Sequence, residues 1–202
     1  MSPEINAPTM TRPTSTGRPI VALDVDGVLN VRGVGWPAHT VAVVEADLPD
    51  HPFRRQHPGG TLELTVHLNP AHGRWIRRLQ AAGAEVVWAT TWEATANLLA
   101  PHLGIGPLPI GVETASFPPG LTETPTSWKG GALSERCAGQ PLCWIDDFNG
   151  HTFHQPWQRW VGGIVDPSPT LAIRVDRSRG LTSAQMGHVT RWVRQQLATV
   201  KA

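Results

Sequence analysis

The sequence predicts a single α/β domain built on a parallel sheet. Two apolar, β-prone segments, residues 20–23 and 85–91, flank a helical segment at residues 71–82. A strand, helix, strand order implies parallel strands joined by a right-handed crossover, which brings the carboxyl ends of both strands to one edge of the sheet. With 202 residues, 40% of them apolar, the chain can bury one full core.

Composition narrows the class of protein further. The formal net charge of +1 gives no strong field that would favour nucleic acid or membrane, and no segment approaches the roughly 20 apolar residues of a membrane helix. Residues 1–18 are rich in Pro, Thr and Ser and predict a mobile tail before a domain at 19–202. Cys137 and Cys143 match no ligand pair and no disulfide framework, which favours free thiols in the cytoplasm.

Two carboxylates follow the first strand. Asp24 and Asp26 come directly after residues 20–23, and Gly27 then permits a sharp exit of the backbone. A strand that is apolar on both faces is typical of one buried on both sides, and open α/β sheets bind ligands at the carboxyl edge. Like charges there repel each other and lose hydration unless a cation offsets them. Oxygen ligands without nitrogen or sulfur indicate Mg²⁺ rather than zinc.

Two other interpretations of these acids fit less well. An EF-hand loop begins with the same Asp-x-Asp but needs an oxygen ligand at its fifth position, where this chain has Val28. A solvated turn conflicts with the apolar run before it, which predicts burial. The pattern therefore favours a metal site at Asp24 and Asp26.

The remaining elements complete the domain. Two β-like segments at 40–46 and 61–68 flank a turn-rich connection and predict a hairpin flap over about residues 31–68, too small for a domain of its own. The other expected elements are a helix at 71–82 stopped by Gly83, a helix at 92–100 ended by Pro101 and Gly104, a weaker strand at 108–112, a helix at 127–133, strands at 141–148 and 171–175, and a final helix at 183–197 with a buried stripe of Met186, Val189, Val193 and Leu197.

Two threonines after the second strand and one lysine at a predicted helix start are further candidate site residues. Thr90 and Thr91 end the second strand, so Thr90 can meet Asp24 at the sheet edge, while Thr91 suits a cap of the following helix. Lys129 is expected at a helix start, where a cation does not help the helix. A helix N-terminus with an ammonium group makes a phosphate site, and the alternative is a solvated surface lysine.

A second pair of acids repeats the first motif. Asp146 and Asp147 follow an apolar strand, and a salt bridge or a helix cap is the alternative for Asp147. His151 and His154 stand three residues apart just beyond, but the site already offers oxygen ligands, so neither is expected to bind the metal.

Four motifs follow one another along the chain: AspValAspGlyVal after an apolar strand, Thr90, Lys129 and the Asp146–Asp147 pair. In this order they resemble the four motifs of the haloacid dehalogenase-like phosphatases. The resemblance spans residues 20–148 and implies a Rossmann-like doubly wound parallel sheet with a minimal cap. It also implies Mg²⁺-dependent phosphoryl transfer through an aspartyl-phosphate. The implied roles are Asp24 as nucleophile, Asp26 as acid and base with its backbone carbonyl on the metal, Thr90 and Lys129 on the phosphoryl group, and Asp146 and Asp147 as metal and shell ligands in either order.

The resemblance also bears on the reaction and the substrate. Dehalogenases of this family lack the second acid, so Asp26 favours phosphate, and the absence of a large cap favours hydrolysis over a mutase reaction. An open site in this family often goes with bulky, nucleotide or nucleic-acid-end phosphates. Trp36 and Trp92 can stack a base, with core packing as the alternative for each, and Thr91 and Gly27 complete the expected substrate contacts.

Two alternatives to a phosphatase stay open. One is a noncatalytic phosphate- or Mg²⁺-binding interaction module of the same fold, against which the intact set of acids and Lys129 weighs. The other is a phosphotransferase that passes the phosphoryl group to an alcohol.

Overall fold

The computed structural model describes residues 17–44, 60–113, 125–147, 159–161 and 164–200. The elements in chain order are β1 (Ile20–Leu23), β2 (Ala38–Val44), β3 (Thr61–His67), α1 (Pro70–Ala81), β4 (Glu85–Trp88), a 3-10 helix (Glu93–Leu99), α2 (Ala100–Leu103), α3 (Pro125–Arg136), β5 (Leu142–Asp146), β6 (Arg159–Val161), β7 (Ile164–Asp166), β8 (Thr170–Arg174) and α4 (Ser183–Val200). The predicted tail, apart from its last two residues, and both His151 and His154 lie outside these ranges.

A four-stranded parallel sheet in the order β4-β1-β5-β8 forms the centre of the fold. Leu23, at the end of β1, pairs with Trp88 on one side and with Ile145 on the other. The amide of Asp24 then donates to the carbonyl of Ile145 at 3.0 Å, so the ends of β1 and β5 lie side by side. The predicted parallel α/β sheet is confirmed, and the sheet with its flanking helices is compatible with a Rossmann-like fold.

Alternate side chains of β1 enter two different cores. Val21 and Leu23 belong to the larger one, and Ile20 and Ala22 to the smaller one. Helices α1 and α4 supply apolar side chains to the larger core, while Leu133 of α3 and Cys137, directly after that helix, belong to the smaller. This double burial explains why β1 is apolar at every position. Among the described helices, none has the length and apolar character that spanning a membrane requires.

Strands β2 and β3 form the expected hairpin, and its role as a flap over the sheet edge stays a prediction. Strands β2 and β3 pair antiparallel from Ala38–His67 to Val44–Thr61, and the connection at 45–59 lies outside the described residues. The amide of Val31 donates to the His67 carbonyl at 3.2 Å, which ties the base of the flap to the turn after β1.

Two of the predicted elements were wrong in part. The helix expected at 92–100 is a 3-10 helix from Glu93 followed by α2, and Pro101 lies in the first turn of α2, where the missing N–H group is tolerated. Gly104, with φ +63°, ends that helix as expected. The weak strand at 108–112 is reduced to one bridge between Trp88 and Ile110, because the prolines beside Leu108 remove backbone donors.

The other helices lie close to their predicted positions. Helix α1 begins where the Asn69 side chain accepts the amide of Ala71 at 2.9 Å, and Gly83, with φ +105°, follows its end. Helix α3 begins at Pro125, so Lys129 lies one turn inside it rather than at its start. Helix α4 carries the expected stripe, with three of its four members buried and Leu197 partly buried.

Candidate metal and catalytic site

The site lies at the carboxyl edge of the sheet, between β1, β5 and α3. Asp24 directly follows β1 and Asp146 is the last residue of β5, so the parallel pairing of these strands places both carboxyl groups at one point. The Lys129 ammonium lies 3.1 Å from Asp24 Oδ1 and 3.0 Å from Asp146 Oδ2. All three residues are buried, at 7%, 4% and 5% exposure for Asp24, Asp146 and Lys129. Buried charges of this kind are stable only when they are paired with other charges.

Three carboxylates make up a cluster that can hold a metal ion. Asp24, Asp146 and Asp147 each offer an oxygen, and these oxygens all lie within 4.8 Å of one another. The Lys129 ammonium contacts two of these carboxylates, Asp24 and Asp146. Carboxylate oxygens this close together repel one another when ionised, and an all-oxygen ligand set suits a hard divalent cation.

The pKa of Asp24 shows the cost of burying this carboxylate. Burial, with a smaller contribution from neighbouring Asp146, raises the pKa of the carboxyl group from 3.8 to about 7 despite the opposing effect of Lys129. The carboxylate of Asp24 is therefore costly to maintain without a further cation. A metal ion at the cluster would remove that cost, because it would favour the ionised form of the ligands.

Gly27 allows Asp147 to approach the turn after β1. The backbone of Gly27 has φ +75°, which favours glycine, and a Cβ atom there would lie 2.6 Å from Asp147 Oδ2. Arg177 Nε stands 3.7 Å from the same carboxylate, so the salt bridge expected as the alternative for Asp147 is present beside its place in the cluster. The Arg177 side chain is 63% exposed, which makes this ion pair a weak one.

Asp26 lies outside the three-carboxylate cluster and is exposed. Its Oδ2 accepts the indole N–H of Trp92 at 2.8 Å, and its Oδ1 accepts the Asn30 amide at 2.9 Å. The side-chain oxygen of Asn30, Oδ1, in turn accepts the backbone N–H of His67 at 2.9 Å. Sequence reasoning missed Asn30 altogether; its only signal was a polar residue one turn after Asp26.

The two threonines after β4 have different surroundings. Thr90 is buried, and its neighbour Ala89 donates to the carbonyl of Leu23 at 2.7 Å, so Thr90 lies at the same sheet edge as Asp24. Its hydroxyl accepts the backbone N–H of Trp92 at 3.3 Å. Thr91 does not take the N-cap position expected for it, because the 3-10 helix begins at Glu93 and Trp92 stands at that position. The choice of Thr90 over Thr91 as a phosphoryl ligand stays a prediction.

The two tryptophans beside the motifs pack against the protein. Trp92 is 6% exposed and belongs to the larger core, so little of its ring is open for a base to stack on. Trp36 is half-buried and contacts the ring of His72 edge-to-face at 5.0 Å between centroids. Packing, the alternative for both residues, therefore describes their main contacts in this structure.

Fold and site together define an α/β protein with a buried, lysine-paired cluster of carboxylates at the carboxyl edge of a parallel sheet. No family model matches the chain, and searches of curated proteins and of solved structures likewise give no match.

Proposed function

We propose that the protein is a Mg²⁺-dependent phosphomonoesterase that works through an aspartyl-phosphate on Asp24. The observation that carries this proposal is the buried Lys129 ammonium, which bridges Asp24 and Asp146 beside the three-carboxylate cluster. In a site that only holds a divalent metal, an ammonium group 3.0–3.1 Å from two of the ligands weakens metal binding by charge repulsion. A site that must bring an anionic nucleophile to an anionic phosphate does gain from it.

The geometry favours Asp24 as the attacking group. A carboxylate is a weak nucleophile, and its approach to a phosphate ester is opposed by charge repulsion. Lys129, 3.1 Å from Asp24, would reduce this repulsion and would also contact an equatorial phosphoryl oxygen. Asp146 and Asp147 would hold the Mg²⁺ ion together with Asp24. When bound, the ion supplies further charge neutralisation between nucleophile and phosphate.

The other predicted residues complete the reaction. The Thr90 hydroxyl, which lies at the same edge of the sheet, would donate to a phosphoryl oxygen. Asp26, exposed and two residues beyond the nucleophile, would protonate the leaving oxygen and then take a proton from the attacking water. Proton transfer of this kind is worth roughly 10²–10⁴-fold in rate. The resemblance to the haloacid dehalogenase-like phosphatases gives the same assignments.

We further infer an open site suited to a bulky phosphate monoester, such as a nucleotide or a nucleic-acid end. Within the described residues, only the β2–β3 hairpin separates β1 from α1, which leaves little to enclose a substrate. The packed positions of Trp36 and Trp92 give no support to base stacking, so the substrate class rests on the small flap and on the resemblance.

The test is phosphate release from p-nitrophenyl phosphate, with and without Mg²⁺, by the wild type, Asp24→Asn and Asp166→Asn. We expect Mg²⁺-dependent turnover that falls at least about 10³-fold in Asp24→Asn. Asp166→Asn is the control, because it makes the same chemical change in an ion pair with Arg159. Under conditions in which this variant is folded, it should keep the wild-type turnover. Nucleotides and 3′- or 5′-phosphorylated oligonucleotides would follow, with acceptor alcohols added to detect phosphotransfer. Mg²⁺ binding without turnover on any ester would instead indicate a noncatalytic binding module.

A further inference from the structure

We propose that Trp92 and Asn30 are positioning residues, which hold the Asp26 carboxyl group for proton transfer to the leaving group. This inference rests on the proposed function, because it gives Asp26 the acid and base role. It assigns to Trp92 a role through its indole N–H group in place of base stacking.

The two donors act on opposite oxygens of one exposed side chain. Trp92 Nε1 donates to Oδ2 at 2.8 Å, and Asn30 Nδ2 donates to Oδ1 at 2.9 Å. An exposed aspartate otherwise rotates about both of its side-chain bonds. One donor on each oxygen fixes both rotations, so Asp26 is already oriented before a substrate arrives.

Each donor is itself held in place. The Trp92 ring is 6% exposed in the larger core, and the Thr90 hydroxyl accepts its backbone N–H group at 3.3 Å. The side-chain oxygen of Asn30, Oδ1, accepts the backbone N–H of His67 at 2.9 Å, which turns the NH₂ group of Asn30 toward Asp26. The carboxyl group is thereby tied both to the core and to the end of β3.

The chemistry of the donors suits a proton carrier. An indole N–H group donates and does not accept, so it cannot take the proton that Asp26 carries. The amide of Asn30 presents only its NH₂ group to Asp26, with the same consequence. Each carboxyl oxygen keeps a second lone-pair direction, which leaves room for the proton that is transferred.

The proton and the bonds then balance over two steps. In the first, an oxygen of Asp24 bonds to phosphorus while the ester P–O bond breaks, and the leaving oxygen takes the proton from Asp26. In the second, water attacks phosphorus, its proton passes to Asp26, and the bond between phosphorus and Asp24 breaks. Only the first step depends on the basicity of the leaving group.

The dependence on the leaving group distinguishes a loss of Asp26 positioning from a general loss of activity. We would measure kcat/KM, which reports the first step, with p-nitrophenyl phosphate, whose leaving group needs little protonation, and with phenyl phosphate, whose leaving group needs more. Trp92→Phe should lower kcat/KM at least about tenfold for phenyl phosphate and less than about threefold for the nitrophenyl ester. Asn30→Ala, which removes the other donor, should show the same selective loss.

Trp75→Phe is the matched control. Its indole N–H donates to Thr190 Oγ1 at 3.1 Å between α1 and α4, so the same atoms are removed from an equally buried ring. We expect this variant to change kcat/KM for both esters by one common factor. Equal losses of kcat/KM on both esters in Trp92→Phe and in Asn30→Ala would overturn the positioning role. Such a result would leave the proposed function unaffected.

A second readout does not depend on activity. The indole N–H resonance that disappears in Trp92→Phe belongs to Trp92, and it should move in Asp26→Ala while the Trp75 resonance stays in place. A Trp92 resonance that does not respond to Asp26→Ala would overturn the contact. Wild-type protein without turnover on either ester would overturn the proposed function, and the positioning role with it.

Discussion

Replacement of Asp24 by asparagine should stabilise the metal-free protein near pH 8 while it abolishes turnover. Burial raises the pKa of Asp24 from 3.8 to about 7, Lys129 opposes the rise and Asp146 adds to it. Between these two pKa values the folded state retains a proton that the unfolded state has lost. Stability therefore falls as the pH rises through that window, and above about pH 7 the full cost is present.

The size of the effect follows from the pKa. A rise from 3.8 to about 7 corresponds to about 4 kcal/mol at roughly 1.4 kcal/mol per pH unit. The Asp24 side chain is only 10% exposed, so solvent screens little of this cost. In the variant, the introduced side-chain amide would face the Lys129 ammonium. Its imperfect fit there would reduce the gain in the free energy of unfolding. A net gain of about 1–3 kcal/mol, or roughly 3–10 °C in Tm, is the expectation for a chain of this size.

Thermal unfolding in EDTA, near pH 5 and near pH 8, measures this gain. Near pH 5, about 1.2 pH units above the unfolded-state pKa of 3.8, only about 1.7 kcal/mol of this cost is present, so the substitution should change Tm much less than near pH 8. Asp166→Asn is the opposite control, because hydrogen bonds from Ser168 and Gly139 and the charge of Arg159 outweigh burial and lower the pKa of Asp166. Loss of the Asp166 charge leaves the buried Arg159 guanidinium without its carboxylate partner, which should cost about 3–5 kcal/mol of folding stability. An Asp24→Asn variant that melts at or below the wild-type temperature near pH 8 would refute the charge argument.

Three further predictions address the cluster. Mg²⁺ should raise the wild-type Tm more near pH 8 than near pH 5, because the metal competes with the proton on Asp24, and Asp146→Asn should remove this shift. Lys129→Met should tighten Mg²⁺ binding in calorimetry, since it removes a positive charge, yet lower turnover at least about 10²-fold. Gly27→Ala, strained at φ +75° and against Asp147, should cost about 1–3 kcal/mol in denaturant unfolding and weaken Mg²⁺ binding; an unchanged midpoint would contradict this.

The sheet and its ligand edge could be predicted from sequence because they follow from local patterns. A strand that is apolar at every position must be covered on both faces, and the crossover rule then places Asp24, Thr90 and Asp146 at one edge. The start of α3 was missed, because the apolar spacing that marks a helix is weak around Lys129. The extra helical turn beyond Pro101 was missed because proline marks both the end of a helix and its first turn.

The contacts of Asp26 could not be predicted, because they join residues far apart in the chain. Trp92 lies 66 positions from Asp26, and nothing in the sequence tells whether its ring or its N–H group faces the site. Asn30 is near in sequence, but its orientation depends on His67, which arrives with the flap. Periodicity shows which side chains are buried; it does not show which of their polar atoms meet.

The turn after β1 explains how two carboxylates one residue apart acquire different environments. Val25, which separates them, is fully buried, and its carbonyl oxygen accepts the backbone amides of Val28, Leu29 and Asn30 at 2.9–3.2 Å. This fixed turn keeps Asp24 in the buried cluster and leaves Asp26 exposed. Two carboxyl groups divide the work of nucleophile and proton carrier only when their surroundings differ. Polar substitution of Val25 should therefore impair both roles together, because the difference between the two environments depends on that buried side chain.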